Sequence, residues 1–314
     1  MKTKLISIVI PAYNESKNIS AFYTSLKQSL PKKYQYEIIY VNDGSTDSTS
    51  SEIKKLLKND SSVKLLNLSK NFGKEMATTA GINNSNGNAV IIIDADGQHP
   101  VELISQFLKQ WENGNQVVVG VRKTNQKEGF IKKYGSKLFY SLFNRFSSSK
   151  LIPGSTDFRL IDGNVRDQFN KLQESNRITR GLIDWLGFKR SYIYFNANAR
   201  LHGEASYSTK KLFVLATNTF VSMTFAPLFF FAFLGVLITF CSLLTFFVLA
   251  IEQFIFTDPL NLQISGTAYL AVLILLLVGI ILMSQGLLAL YISKIYQESK
   301  GRQLYIVDEN NSIQ

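Results

Sequence analysis

Cysteine is almost absent: the 314 residues contain one, Cys241, inside an apolar run. A lone thiol excludes a disulfide framework and a thiolate metal site, and it suits a reducing cytoplasm. Glycine-rich phosphate cradles are missing as well. Neither G-x-x-x-x-G-K-[ST] nor G-x-G-x-x-G occurs, so phosphates are not gripped by a Walker or dinucleotide loop. The sequence has no zinc-ligand spacing, helix-turn-helix or RNP-like run, and the basic residues behind its formal charge of +11 are dispersed, which excludes nucleic acid as the expected partner. The opening MKTKLISIVI has no long apolar h-region and no small-residue cleavage site, so it reads as a first strand and not as a signal peptide.

Charge is missing from two windows. Leu212 to Ile251 and Pro259 to Ser293 contain no Asp, Glu, Lys or Arg. Each holds about 20 apolar residues, the number needed to cross a hydrocarbon core of roughly 30 Å. Two transmembrane helices are therefore expected within 227–293. Lys210 and Lys211 precede them, Lys294, Lys300 and Arg302 follow, and the connecting EQFIFTDPLNLQISG has no basic residue. The positive-inside rule places both termini and the first 207 residues on the cytoplasmic side of a cell membrane. The basic surplus then matches anionic headgroups.

The first 207 residues alternate differently. KLISIVIPAY, YEIIYVN, VKLLNLS, AVIIID and QVVVGVR read as strands, separated by helical spacing in ESKNISAFYTSLKQSL, STSSEIKKLLK, KEMATTAG and VELISQFLKQW. Such alternation predicts an α/β domain with a mainly parallel sheet flanked by helices, and a ligand crevice at the carboxyl ends of the strands. Residues 294–314 form a cytoplasmic tail. KKYGSKLFYSLFNRF, around 130–146, and YSTKKLFVLATNTFVSMTF, covering 208–226, mix basic and apolar residues at helical spacing and read as interfacial helices lying in the headgroup plane.

Three polar clusters fall on the predicted crevice: PAYNE, NDGSTD and DADGQ. Each alone reads equally as a turn or a helix cap. Together they bring acidic and amide groups to one edge. Asp94 and Asp96, on alternate positions of an extended segment, with Gln98 two residues on, make an oxygen-rich site suited to Mg²⁺ or Mn²⁺, ions that keep several waters and bridge to phosphate oxygens. Two carboxylates at a sheet rim require a positive partner, and a divalent cation carrying a nucleoside diphosphate supplies it. His99 is an additional candidate ligand, with a turn role beside Pro100 as the alternative.

PAYNE, NDGSTDST, NFGKE, DADGQHP, STDFRLID and ARLHGEASYS, in that order and followed by two apolar windows, resemble the inverting glycosyltransferases of family 2, specifically the polyprenyl-phosphate branch similar to dolichyl-phosphate mannose synthase and bactoprenol glucosyltransferases. The resemblance covers nearly the whole chain. It implies a GT-A-like fold, a nucleotide sugar donor with UDP-glucose favoured and GDP-mannose open, and a polyprenyl phosphate acceptor, undecaprenyl or dolichyl. By the same resemblance Pro11, Tyr13, Glu15 and Asp43 hold base and ribose, Asp94, Asp96 and Gln98 hold metal and diphosphate, and Asp157 lies near the acceptor. Arg200, His202 and Ser206 resemble a loop closing over the diphosphate. Where the family often has Leu-Gln-Asp-Pro, this chain has Gly97, Gln98, His99 and Pro100.

A lipid monophosphate is already anionic near neutral pH, so an acceptor of that kind needs cations to position it more than a base to deprotonate it. Arg122, ending its strand, and Lys132 with Ser136, one helical turn apart, are the expected clamp for the lipid phosphate. Asp157 either orients the acceptor or forms a structural salt bridge with Arg159 or Arg180. The spans anchor the enzyme, and homo-oligomerisation through them stays open. Two rival functions share some of these features. A polymer-extending synthase of the same fold requires more spans and a Q-x-x-R-W motif, which the sequence lacks; a nonenzymatic membrane scaffold that binds nucleotide has no need of the three aspartates.

Overall fold

The computed structural model describes residues 3–123, 152, 154–174, 177–198, 233–234, 237, 240, 244 and 266–313. Seven strands form one sheet: β1 Leu5–Ala12, β2 Gln35–Asn42, β3 Val63–Asn67, β4 Ala89–Ile92, β5 Val117–Arg122, β6 Ser155–Asp162 and β7 Arg190–Phe195, in spatial order β3-β2-β1-β4-β6-β5-β7. The five strands read from the sequence are all present. β6 and β7 were not among them, and β6 makes the sheet mixed: it runs antiparallel to both β4 and β5, while the other four pairings are parallel.

Strands buried on both faces need side chains that are apolar or fully hydrogen-bonded: AVII is apolar throughout, and LISIVIPA is so except for Ser7, whose Oγ donates to Glu37. Alternation sends Ile6, Ile8 and Ile10 of β1 to one face, where Ile19, Phe22 and Leu26 of α1 (Ser16–Ser29) and Phe107, Leu108 and Trp111 of α4 (Ile104–Glu112) pack on them. α2 (Thr49–Asn59) adds Ile53 to that layer. Val9 points to the other face, against Ile82 of α3 (Lys74–Asn83), Val165 and Phe169 of α5 (Gly163–Lys171), and Leu182 and Ile183 of α6 (Thr179–Trp185). The result is a helix, sheet, helix sandwich whose single polar rim of interest is the edge where β1 to β4 end.

The chain divides into two compact units, Met1–Phe213 with Arg302–Gln314, and Val214–Gly301. The C-terminal tail therefore belongs to the sheet-containing unit: Leu65 pairs with Ile313 and Leu68 with Val307, both antiparallel. In the second unit, α7 (Gly266–Ser299) runs for 34 residues, about 50 Å of helix. Counted over the described residues alone, no helix is long and apolar enough to cross a membrane; the sequence of α7 is nonetheless free of charge from Gly266 through Ser293. The first expected span lies outside the described residues except for a few helical positions, among them exposed Phe233, Leu237, Phe240 and Leu244. The expected interfacial helices at 130–146 and 208–226 also lie outside them.

Candidate active site

Because β1, β2 and β4 are parallel, their carboxyl ends open on the same edge, and the loops that follow are tied to one another. Asn14 adopts a left-handed φ of 55°, a conformation that Asn tolerates better than most residues. Its Oδ1 accepts from Thr46 N at 2.9 Å, and its own N–H donates to Ser45 Oγ at 3.0 Å. Asp47 accepts from Thr49 N and Oγ1 in the first turn of α2 and from Ser16 N at the start of α1. Asp47 thus closes the turn that leads into α2, as a turn reading of NDGSTD implies, and it also fastens that loop to PAYNE. Beside this junction Tyr13 is half exposed, and Glu15 Oε2 accepts from Asn18 Nδ2.

Asp43, one residue beyond β2, is 2 % exposed. Its Oδ1 accepts from Phe72 N at 2.7 Å and its Oδ2 from Gly73 N at 2.9 Å. Burial pushes the carboxyl up, and the two backbone donors counter that only in part. Both oxygens are committed to the NFG turn. Gly73, at φ 95°, completes the turn in a region open to glycine, and Lys74 follows as the first residue of α3.

Lys74 is the residue of the candidate site that sequence reasoning missed. Its ammonium lies 2.7 Å from Asp94 Oδ1, 2.8 Å from Asp94 Oδ2 and 2.9 Å from Asp157 Oδ2. Its side chain remains 43 % exposed, so the triad faces the crevice. Burial draws the ammonium down, but the two carboxylates outweigh it and hold the group above the usual lysine range. In the same way burial raises Asp157, and Lys74 first, then Arg180, pull it well below the usual carboxylate range. The positive partner that Asp94 requires is therefore inside the protein. The signal was available, a Lys directly after the Gly of NFGKE, but not its reach to a strand 83 residues away.

The antiparallel course of β6 explains why Asp157 arrives there. Ile92 of β4 pairs with Arg159, so two residues further along each strand Asp94 and Asp157 meet at the rim. Arg159 is not the partner of Asp157: it is 1 % exposed and donates through Nη1 to Asp184 Oδ1 at 3.0 Å, with Arg190 on the same oxygen at 3.3 Å. Asp96 Oδ1 accepts from Gln98 N at 3.0 Å across Gly97, whose φ is 73°. His99 is buried between Phe158, stacked at 5.2 Å, and Phe195, edge-on at 5.9 Å, and burial lowers its pKa. Its Nδ1 accepts a long hydrogen bond from Asp94 N, so the ring shapes the turn from beneath.

The structure brings together the carboxyl ends of the strands carrying Pro11, Tyr13, Glu15 and Asp43 and the pair Asp94 and Asp157, with Asp96 and Gln98 on the same turn. Arg122 ends β5 with an exposed side chain. Lys132, Ser136, Arg200, His202 and Ser206 lie outside the described residues. Among the described residues no three His, Cys, Asp or Glu side chains cluster as a metal cage. A hard divalent ion of the kind that bridges to phosphate needs fewer protein ligands than that. Asp94, Asp96 and the side-chain oxygen of Gln98 have the oxygen chemistry such an ion takes, and Asp94 would share its carboxylate between the ion and Lys74.

The glycosyl transferase family 2 model matches residues 7–168, the segment that supplies nearly all of β1 to β6 with Asp43, Asp47, Asp94, Asp96 and Asp157. The chain belongs to glycosyl transferase family 2. It is 37% identical over 305 residues to an uncharacterized glycosyltransferase of Synechocystis sp., covering 97% of this chain and 95% of that one. It is 34% identical to a bactoprenol glucosyl transferase of Shigella phage SfV, covering 96% and 97% respectively. A prophage bactoprenol glucosyl transferase homolog of Escherichia coli is 32% identical over 96% of this chain and 98% of its own. In fold, this glycosyl transferase family 2 chain is similar to mannosyl-3-phosphoglycerate synthase from Rubrobacter xylanophilus, with a TM-score of 0.50, 15% identity and coverage of 68% and 70%. The α/β domain is thus GT-A-like, and the chain is a glycosyltransferase.

Proposed function

We propose that the enzyme transfers a hexose, glucose from UDP-glucose in the favoured case, to a polyprenyl phosphate at the cytoplasmic face of a membrane, with inversion at the anomeric carbon. The observation that carries this reading is the Asp94, Lys74 and Asp157 triad at the carboxyl edge of the sheet, beside the two locked loops suited to a nucleoside. The similarity to bactoprenol glucosyl transferases extends along nearly the full chain, the two apolar C-terminal windows included, and supports the lipid acceptor. α7 and the charge-free window before it are assigned as two spans that keep the crevice at the bilayer surface, with both termini cytoplasmic.

In the reaction a phosphate oxygen of the acceptor attacks the anomeric carbon, a carbon–oxygen bond forms there, and the bond to the nucleoside diphosphate breaks with its electron pair leaving on the diphosphate. Mg²⁺ or Mn²⁺ held by Asp94, Asp96 and Gln98 would supply charge stabilisation for that leaving group. Lys74 meanwhile presents a fixed cation beside the same carboxylates. An aspartate held as low as Asp157 takes up a proton poorly near neutral pH. That suits an acceptor that arrives without a proton to lose. Asp157 is then a positioning group, and Arg122 with Lys132 and Ser136 receives the lipid phosphate.

The test is transfer of label from UDP-glucose to undecaprenyl phosphate by purified protein with Mg²⁺ or Mn²⁺. An organic-extractable, acid-labile product is expected. Label that stays in the aqueous phase with every nucleotide sugar offered would overturn the proposal.

A further inference from the structure

β3 is the edge strand of the sheet, yet its outer side is covered. Leu65 exchanges backbone hydrogen bonds with Ile313, 2.8 Å in each direction, Ser69 N donates to Ile306 O at 2.9 Å, and Asp308 N donates to Asn67 O at 2.8 Å. Tyr305 and Val307 pack on the cluster formed by Ile39, Val41, Leu66, Leu68, Ala77 and Ala80. A covered edge protects against unwanted strand pairing, which is reason enough for a strap of this kind.

The polar contacts go further than edge protection requires. Asn67, 5 % exposed, donates from Nδ2 to Asn311 O at 2.7 Å and from its backbone N–H to Ser312 Oγ at 2.9 Å. Its Oδ1 accepts from Asn42 Nδ2 at 2.7 Å. Asn42 Oδ1 in turn accepts from Ser45 N at 3.1 Å, and Ser45 Oγ accepts from Asn14 N. A chain of hydrogen-bonded residues, Asn311 and Ser312, Asn67, Asn42, Ser45 and Asn14, therefore runs from the C-terminal segment to both loops beside the crevice. Every group in such a relay is oriented by its neighbours, so loss of one member frees the rest.

We infer that the C-terminal segment 305–313 is a positioning strap for the nucleotide-sugar loops, acting through Asn67 and Asn42. The inference rests on the reading of those loops as the donor site. Removing the strap loosens the seat for the donor and leaves the acceptor side and the Lys74 triad in place.

The experiment compares the wild-type chain, a chain ending at Gly301 and Asn67→Asp, which keeps the acceptor for Asn42 but cannot donate to Asn311. Steady-state rates are measured with UDP-glucose and undecaprenyl phosphate varied separately. Asn67→Asp is expected to raise the donor KM about tenfold, the effect of one lost buried hydrogen bond, and the shortened chain at least as much, while kcat and the lipid KM stay within about twofold. A synthetic peptide of residues 302–314 added to the shortened chain restores the donor KM by pairing with the freed edge. A donor KM unchanged in Asn67→Asp, or a fall confined to kcat, overturns the strap. Should the shortened chain fail to fold, Asn67→Asp decides alone. Absence of transfer by the wild type with any nucleotide sugar is a different failure, that of the donor-site reading.

Discussion

Lys74 and Asp157 are joined by a 2.9 Å ion pair although one begins a helix after β3 and the other lies on the antiparallel strand β6. With Asp94 on the same ammonium, the pair sets the charge of the crevice floor. Two carboxylates facing each other without that cation would repel, and one would take up a proton. Substitutions around this contact separate the roles proposed above.

Lys74→Met is expected to lower kcat/KM by about 10² to 10³ at saturating metal, the range seen when one fixed electrostatic donor is removed from a transition state. Since the substitution also removes the internal competitor for Asp94, the metal concentration for half-maximal activity should fall. Initial rates across a Mg²⁺ titration measure both. An unchanged metal requirement would show that Lys74 and the ion do not share Asp94.

Asp96→Asn should abolish transfer while the protein stays folded and membrane-bound. Binding of Mn²⁺ in the presence of UDP, followed by its paramagnetic resonance signal, should be lost in parallel. Full activity would reject the metal assignment.

For Arg122→Ala the defect is expected in use of the lipid. The KM for polyprenyl phosphate should rise about tenfold or more, with the donor KM little changed, as for a lost charge-assisted contact. Kinetics independent of the acceptor concentration range would remove Arg122 from the clamp.

Acid stability has a local source away from the crevice. Asp60 accepts from Tyr23 Oη and from Ser62 N and Oγ, and it pairs with Lys27 at 2.6 Å. Burial raises its pKa, but these partners outweigh burial and hold it below the ordinary value of 3.8. Its contribution is present above that value and is lost as pH falls through the depressed folded-state pKa. Asp60→Asn should therefore lower stability by about 1–2 kcal/mol at pH 7, and its gap to the wild type should begin to narrow as pH falls below the ordinary value of 3.8. Thermal unfolding in detergent between pH 7 and pH 3 follows both.

Gly44 sits at φ 63° with the backbone of Lys70 and Asn71 against it; an added Cβ would lie 2.4 Å from the Lys70 carbonyl carbon. Gly44→Ala combines a left-handed penalty of about 1–2 kcal/mol with that overlap. The NDGSTD loop should separate from the NFG turn, with loss of donor binding read by UDP titration.

β1, β4 and β5 were legible because each is a mostly apolar run rich in β-branched residues, long enough for a strand and too short for a helix; β2 and β3 carry shorter apolar stretches, IIYV and LL, among polar residues. β6 was not, since STDFRLID places Asp157 and Arg159 on one face, and only partners distant in sequence, Lys74 and Asp184, make those charges tolerable in the sheet. The three polar clusters were legible as convergent. What each side chain does there was less so: Asp43 is turned into the protein by two amides of a loop 29 and 30 residues away. The tail was the least legible of all, because ENNSI has no strand signature until β3 offers it an edge.

The ladder between β4 and β6 has one more outcome. Asp157 is located by pairing of Ile92 with Arg159 and not by the length of chain leading to it. The carboxylate opposite Asp94 is accordingly stationed by strand register, which makes the β4–β6 pairing the ruler of the Asp94 to Asp157 separation.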